Sequence, residues 1–254
     1  MESARNSGRN NTDGVTDGRN GFGRYHESDE GVIHLILTVR DRLDFTEKTL
    51  DSLRPTLSDK VTIWCIDNGS HSNTKAYLRL QKNNGTLHSI VFNGNGRVPQ
   101  WEKCYSIVQA WEGIKKVITP ADYVGWIDND MVVKPHWVDI PDKVLAMPEV
   151  DVCSLHNDQF QETKHPTARV DKLGDLVVRL KPTANGAFWV MRPDFFSVYG
   201  FPPVGMGACK QGVEDWHYCR LLMQKHRLFG VVDGVSEHIG YKVSMRKRIQ
   251  GCLR

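Results

Sequence analysis

The stretch Asp122-Tyr123-Val124-Gly125-Trp126-Ile127-Asp128-Asn129-Asp130 decides the fold that the sequence predicts. Its apolar part is short, nearly continuous and aromatic, which is typical of a strand buried on both faces of a sheet. Two carboxylates, Asp128 and Asp130, follow where that strand should end. Ligands of open α/β sheets bind at the carboxyl ends of strands, and carboxylate oxygens bind hard divalent cations. The triplet is also ordinary turn chemistry, so the preceding strand is what favours a site.

Length and composition indicate an ordinary globular protein. The chain has 254 residues, 40% hydrophobic and 25% charged, enough for one α/β domain with a large core or for two small ones. The formal net charge of +3 is too small to indicate a nucleic-acid-binding protein by itself. No two of the six cysteines have CxxC spacing, so neither a zinc site nor a disulfide framework is predicted. We find no signal peptide and no membrane-spanning apolar run, and expect a reducing, cytoplasmic location.

Strand and helix patterns alternate before the acidic triplet. Buried strands are predicted at 31–39, 61–66 and 89–92, with helices after them at about 44–54, 73–81 and 100–117. The first helix is expected to begin near Asp44, with Glu47 three residues later as a capping box. This alternation is the pattern of a mostly parallel sheet with helices on both faces. It places polar side chains from consecutive strand ends along one edge of the sheet, namely Arg40, Asp67, Arg97, Asp128 and Asp130.

The second half of the sequence is less regular. Strands are predicted at 150–155, 176–180, 186–191 and 231–234, with a polar loop at 158–172. Gly186 and the alanine after it open the third of these strands with small residues, which let another group approach the backbone closely. The glycine-rich residues 200–212 show no periodicity and are a candidate lid over a ligand. They lead into Glu214 and Asp215, which open a helix.

We predict three segments in the chain. Residues 1–30 are rich in Gly, Asn, Arg, Ser and Asp and nearly lack large aliphatic side chains, which is typical of a disordered tail. Residues 31–241 form the predicted folded domain. Residues 242–254 form a basic C-terminal segment, whose cationic cluster consists of Lys242, Arg246, Lys247 and Arg248.

The order of these motifs resembles that of the GT-A fold glycosyltransferases, and of glycosyltransferase family 2 in particular, from Val32 to about His238. The five matches are Thr38-Val39-Arg40 with Leu50-Asp51-Ser52-Leu53 after it, Ile66-Asp67-Asn68-Gly69-Ser70, the DxD motif Asp128-Asn129-Asp130, Gly186-Ala187-Phe188-Trp189 leading to Arg192, Phe195 and Gly200, and Glu214-Asp215 with His238 after the next strand. A DxD motif alone is weak evidence for this family, whereas five motifs in the right order and spacing are strong evidence. The resemblance implies an α/β fold of the Rossmann-like, nucleotide-diphospho-sugar transferase kind, with a mostly parallel central sheet flanked by helices.

The resemblance also implies which residues bind the nucleotide sugar. It assigns Asp67 to the base of the nucleotide, and Thr38 and Arg40 to the lining of the nucleotide site. Arg97 matches the family pattern only in part and is included as a donor-binding candidate. Further donor contacts are expected from the acidic triplet, the glycine turn and the acidic pair, namely Asp128, Asn129, Gly186 and Glu214.

For the chemistry, the resemblance implies a metal site and a general base. The metal ligands are expected to be Asp130, Asp128 and His238, with Asp130 the more direct ligand of the two acids and Asp128 nearer the donor ribose, while Asp215 acts as the base. A divalent cation, Mn²⁺ or Mg²⁺, neutralises the charge that develops on a nucleotide-diphosphate leaving group. Mixed carboxylate and imidazole ligation suits Mn²⁺ slightly better. A carboxylate across the sugar accepts the acceptor's proton, and the anomeric configuration is inverted.

We therefore predict a metal-dependent, inverting glycosyltransferase, a hexosyl or related transferase, and two alternatives stay open. A nucleotidyltransferase on a similar sheet is disfavoured because Val39-Arg40-Asp41-Arg42 has no glycine for a phosphate loop. A non-catalytic nucleotide- or glycan-binding module is disfavoured because metal ligands and a base candidate are all present. A UDP-sugar is favoured as the donor only because the resemblance to this family implies one.

The acceptor cannot be identified from the sequence. The cationic cluster of residues 242–248 favours an anionic acceptor, such as a phosphorylated glycan, a lipid phosphate or a modified DNA base. A basic chain end that is merely solvated explains the same residues equally well.

Overall fold

The computed structural model describes residues 31–57, 60–93, 103–157, 159–202 and 213–240. Four predictions concern residues outside the described ones: the tail at 1–30, Arg97, most of the lid at 200–212, and the basic segment at 242–254. No helix in the described part of the chain is long and apolar enough to cross a membrane.

Strands and helices alternate along the described chain. The strands are β1 (Ile33–Val39), β2 (Val61–Asp67), β3 (Ser89–Phe92), β4 (Tyr123–Asp128), β5 (Met131–Val133), β6 (Val150–Ser154), β7 (Arg169–Leu173), β8 (Leu176–Lys181), β9 (Phe188–Met191), β10 (Leu228–Val232) and β11 (Ser236–His238). The α-helices are α1 (Leu43–Leu53), α2 (Ser72–Asn83), α3 (Lys103–Ile114), α4 (Ile140–Leu145), α5 (Gln159–Lys164), α6 (Phe195–Tyr199) and α7 (Val213–Gln224). Two short 3₁₀ turns lie at Arg54–Thr56 and Pro135–Asp139.

Within the described residues, nine strands form one sheet in the order β3-β2-β1-β4-β9-β6-β10-β8-β7. β1 pairs in parallel with β2 and β4, and β2 with β3, while β9 is antiparallel to both β4 and β6. β10 runs parallel to β6, and β8 is antiparallel to β10 and β7. Only β9 and β8 are therefore reversed, so the predicted α/β class with a mostly parallel central sheet is confirmed.

Apolar cores on both faces explain the unbroken hydrophobic runs of the central strands. In β1, Leu35 and Leu37 point into one buried cluster and Ile36 into the other, because successive side chains of a strand face opposite sides. Trp126 of β4 and Trp189 of β9 pack in the second cluster with ring centroids 5.0 Å apart. A strand that is covered twice needs apolar side chains at nearly every position.

Strand pairing brings distant segments to the carboxyl end of β4. Because β9 is antiparallel to β4, the turn that begins β9 lies beside the end of β4, and the N–H of Asp128 donates to the carbonyl of Ala187 at 2.9 Å. A small second sheet pairs β5 with β11 and places His238 opposite Met131. The N–H of Ile239 donates to the carbonyl of Asp130 at 2.9 Å, which fixes the end of β11 beside the acidic triplet.

Two local predictions are wrong. The capping box at Asp44 is absent, because α1 begins at Leu43 and Arg42 before it is left-handed and makes no side-chain cap bond. The predicted polar loop at 158–172 contains α5 and the edge strand β7, which pairs with β8. Exposed edge strands carry many polar side chains, so their apolar signal is weak.

Candidate active site

Two carboxylates and an imidazole meet where β4 ends. Asp128 is the last residue of β4, Asp130 comes two residues later, and His238 is the last residue of β11. Each offers one ligand atom, and these atoms lie within 4.8 Å of one another. Nε2 of His238 lies 3.0 Å from Oδ1 of Asp130. Carboxylate oxygens and an imidazole nitrogen in this arrangement fit a divalent cation such as Mn²⁺.

An arginine with no role assigned from the sequence completes this group. Nη1 of Arg42 donates a hydrogen bond of 2.7 Å to Oδ2 of Asp130. The same guanidinium packs over the ring of Phe45, with its central carbon 4.3 Å from the ring centroid. We call Asp128, Asp130, His238 and Arg42 the Asp130 cluster.

The turn that presents this arginine has an unusual backbone. Asp41 and Arg42 are both left-handed, with φ of 50° and 55°, which is costly for residues that carry a Cβ. The N–H of Asp41 donates to Oγ of Ser70 at 2.7 Å, and the N–H of His71 donates to Oδ1 of Asp41 at 2.6 Å. The amide of Asn129 donates to the carbonyl of Asp41 at 3.3 Å. Contacts from two other loops thus hold the turn that directs the arginine at the acidic triplet.

Neighbouring charges shift the pKa values of the acid and the imidazole in the Asp130 cluster. Burial alone would raise the pKa of Asp130, but the hydrogen bonds and charges of His238 and Arg42 outweigh burial and lower that pKa. For His238, burial would lower the pKa, but the hydrogen bond and charge of Asp130 raise it above the ordinary value. Metals bind neutral imidazole, so a raised pKa at His238 makes metal binding there more sensitive to low pH.

A second acid, Asp215, lies against the turn that begins β9. Its Oδ2 accepts a hydrogen bond of 2.8 Å from the N–H of Gly186. Its Oδ1 is buried and has no hydrogen-bond partner within the described residues. A Cβ at position 186 would lie 1.8 Å from that oxygen, so only glycine admits this carboxylate. Burial, and next the charge of Glu214, raise the pKa of Asp215 to about 8.

Lys103, the first residue of α3, joins the two acidic groups. Its Nζ lies 2.7 Å from Oδ1 of Asp128 and 3.7 Å from Oε1 of the buried Glu214, and it donates to the carbonyl of Gly186 at 2.6 Å. Burial would lower the pKa of this lysine, but Asp128 and its acidic neighbours raise it, so the ammonium stays charged. We call Asp215, Glu214, Gly186 and Lys103 the Asp215 cluster.

The candidate nucleotide-binding residues lie at neighbouring strand ends but differ in solvent exposure. Asp67 ends β2 and is fully buried, and both of its carboxylate oxygens accept from the N–H of Ser70, at 3.2 and 3.3 Å. Thr38 is half-buried and pairs in register with the end of β4. Arg40 is half-buried, and its Nη1 has no hydrogen-bond partner among the described residues. The nucleotide contacts assigned to these three residues remain predictions.

Asn129, between the two acids, is buried and has a local structural contact. Its amide donates to Oγ1 of Thr46 at 2.9 Å, in addition to its bond with the turn after β1. The structure therefore gathers most of the predicted site at one edge of the sheet, namely Asp128, Asn129, Asp130, Gly186, Glu214, Asp215 and His238.

Comparison with known proteins identifies the fold. No protein-family model matches the sequence, and no curated protein matches it by sequence. Among solved structures, the chain is similar to the mannosyltransferase PcManGT from Pyrobaculum calidifontis, in complex with GDP-Man and Mn²⁺, with a TM-score of 0.59 and 14% identity over 81% of this chain and 56% of that one. It is also similar to S. aureus TarS residues 1–349, with a TM-score of 0.53 and 12% identity over 81% of this chain and 59% of that one. A longer TarS structure gives a TM-score of 0.54 and 13% identity over 81% of this chain and 36% of that one.

This chain thus has the GT-A fold that the motif order predicts. It spans between about a third and three-fifths of the length of these structural neighbours, since it covers 36% to 59% of them. Identities of 12% to 14% show a shared fold, and the activity has to be argued from the site itself.

Proposed function

We propose that this protein is a metal-dependent glycosyltransferase that moves a sugar from a nucleotide-diphosphate donor to an acceptor hydroxyl. The observation that carries the proposal is the position of two different acidic centres at one sheet edge. Asp130 has a lowered pKa and lies among ligands that suit a metal, whereas Asp215 has a raised pKa and is held by a backbone N–H. A metal-dependent sugar transfer with a general base uses one centre of each kind.

Asp128, Asp130 and His238 would hold a Mn²⁺ or Mg²⁺ ion, which supplies positive charge against the diphosphate leaving group when it is bound. Asp215 accepts the proton of the acceptor hydroxyl as that oxygen attacks the sugar carbon. A base positioned in this way contributes roughly 10²–10⁴-fold to the rate. Because the base and the leaving group lie on opposite sides of the sugar, the product has inverted configuration and no covalent intermediate is needed.

One structural neighbour supports a nucleotide-sugar donor. The mannosyltransferase PcManGT is in complex with GDP-Man and Mn²⁺ in its solved structure. The family 2 resemblance of the sequence, by contrast, favours a UDP-sugar. Both nucleotides therefore belong in the first experiment, and hexosyl donors of each are the first sugars to add.

Thermal unfolding in the presence of ligands tests the proposal. The protein is heated with UDP, GDP and their hexose conjugates, each with Mn²⁺ and each with a chelator. We expect one nucleotide series to raise the unfolding midpoint in the presence of Mn²⁺ alone. At a hundredfold excess over Kd, this stabilisation is about 2.7 kcal/mol. If no nucleotide stabilises the protein with metal, the proposed function is wrong.

A further inference from the structure

Both oxygens of the Asp130 carboxylate are in contact with basic side chains. Arg42 donates to Oδ2 at 2.7 Å, and Nε2 of His238 lies 3.0 Å from Oδ1. The guanidinium takes an acceptor position on Oδ2 and places positive charge where a metal ion held by Asp130 would lie. His238 is a candidate ligand of the same metal, but an always-charged guanidinium cannot be one. Arg42 is therefore the group that competes with a metal for Asp130.

Arg42 is placed so that its side chain can move while its backbone stays fixed. The side chain is 43% exposed, whereas that of Asp130 is 7% exposed. The left-handed turn at Asp41 and Arg42 is held by Ser70 and by the N–H of His71, so the change falls on the side-chain torsions. The stack on Phe45 keeps the guanidinium beside the site.

The packing around the pair is close. A Cβ at Gly240 would lie 2.0 Å from Oδ2 of Asp130 and 2.2 Å from Nη2 of Arg42. The glycine therefore makes room for the guanidinium directly on the carboxylate. A cation this close to an acid in a partly buried site competes with any other cation for that acid.

We propose that Arg42 is the internal counter-ion of Asp130 in the metal-free protein, and that on its release from Asp130 it binds the diphosphate of the donor. This inference rests on the proposed function for its second half. A planar guanidinium matches two phosphate oxygens with two parallel hydrogen bonds. A metal held by Asp130 would draw a diphosphate to the acidic triplet, and the stack on Phe45 keeps the guanidinium of Arg42 beside that triplet. Arg42 thus neutralises the charge of Asp130 before donor binding and that of the donor diphosphate afterwards.

Two titrations of matched variants test this exchange. Arg42→Met keeps the length and apolar body of the side chain but removes its charge, and Arg42→Lys keeps the charge but removes the planar fork. Arg54→Met is the control, because Arg54 is also exposed and also pairs with an aspartate, Asp51 at 3.2 Å, but lies after the other end of α1. Calorimetry measures Mn²⁺ binding without nucleotide, and then UDP and GDP binding at saturating Mn²⁺.

We expect Arg42→Met to affect the binding of the two ligands in opposite directions. Mn²⁺ binding becomes about two- to fivefold tighter, since a half-exposed competing ion pair is lost. Nucleoside diphosphate binding becomes about ten- to a hundredfold weaker, since charge-assisted hydrogen bonds to phosphate are lost. Arg42→Lys is expected to bind Mn²⁺ with the wild-type affinity and to bind the nucleotide with an affinity between those of the wild type and Arg42→Met. Arg54→Met is expected to change neither affinity.

Other results overturn the inference in distinguishable ways. If Arg42→Met weakens Mn²⁺ and nucleotide binding together, Arg42 has a structural role and no exchange takes place. If Arg42→Met leaves both affinities unchanged, Arg42 takes no part in binding Mn²⁺ or the nucleotide. If the wild-type protein binds Mn²⁺ but neither UDP nor GDP, the proposed function and the diphosphate role fail, and the Mn²⁺ titration alone decides the counter-ion role.

Discussion

The Asp130 cluster and the Asp215 cluster each set a carboxylate beside a cationic side chain, but they are built in opposite ways. The side chain of Arg42 is 43% exposed and bonds to a single acid, whereas that of Lys103 is 12% exposed and bonds to an acid and a backbone carbonyl. The pKa of Asp130 is lowered by its partners, and the pKa of Asp215 is raised to about 8 by burial. The first arrangement suits exchange of one cation for another, and the second suits acceptance of a proton.

The largest effect is expected from Asp215→Asn. The amide keeps the size of the side chain and an oxygen for the N–H of Gly186, but it cannot act as a base. We expect kcat for sugar transfer to fall by about 10²–10⁴-fold while donor binding is kept. The measurement is steady-state transfer with the donor found by thermal unfolding, and Asp175→Asn in the exposed turn between β7 and β8 is the control. Transfer at the wild-type rate would show that Asp215 is not the base.

Lys103→Met removes the one cation of the Asp215 cluster. It leaves the buried Glu214 and the partly exposed Asp128 without their shared ammonium, which should cost at most about 3–5 kcal/mol of stability, the range for a fully buried pair. Denaturant unfolding measures the change. Lys115→Met is the matched control, since Lys115 follows α3, is exposed and pairs with Glu112, and its loss should cost at most about 1 kcal/mol. Equal losses in the two variants would contradict a buried role for Lys103.

Gly186→Ala tests how closely the base must be held. The added Cβ would lie 1.8 Å from Oδ1 of Asp215, so the carboxylate has to shift. A displacement on the order of 1 Å costs about a hundredfold in rate. We expect kcat to fall by that factor while Mn²⁺ binding, which belongs to the Asp130 cluster, stays unchanged. An unchanged kcat would mean that Asp215 acts from another position.

A change of one pH unit is expected to have a smaller effect, of roughly tenfold below the pKa of Asp215. Asp215 must be deprotonated to accept a proton, and its pKa is raised to about 8, so kcat/KM should rise with pH and level off above about pH 8. Saturating Mn²⁺ removes the contribution of His238. Because the charge of Glu214 raises this pKa, Glu214→Gln should move the plateau to lower pH. A profile that is flat between pH 6 and about 8 would contradict Asp215 as the base.

Much of this architecture follows from the sequence alone. Continuous apolar runs predict β1, β2 and β4, because a strand covered on both faces has no solvent-facing side that would carry polar residues. Their alternation with helices predicts the sheet, and the sheet predicts that Asp128 and Asp130 lie at its carboxyl edge. These inferences use periodicity within short segments, which is where sequence patterns are informative.

The partners of the acids could not be predicted in the same way. Lys103 is a lone lysine at the start of a mainly apolar helix, a common pattern on protein surfaces, and its burial depends on the turn before β9. In Val39-Arg40-Asp41-Arg42 the family resemblance points to Arg40, whereas a left-handed turn that tertiary contacts impose brings Arg42 to Asp130. The only local signal is the run of three charged residues, Arg40-Asp41-Arg42, that follows β1.

The most direct test of the account compares Mn²⁺-dependent binding of a nucleoside diphosphate to the wild type, Asp130→Asn and Asp215→Asn by calorimetry. If the two clusters hold the metal and the base respectively, Asp130→Asn loses the metal-dependent binding and Asp215→Asn keeps the wild-type affinity. Equal loss in both variants, or no loss in Asp130→Asn, would contradict this division of the site.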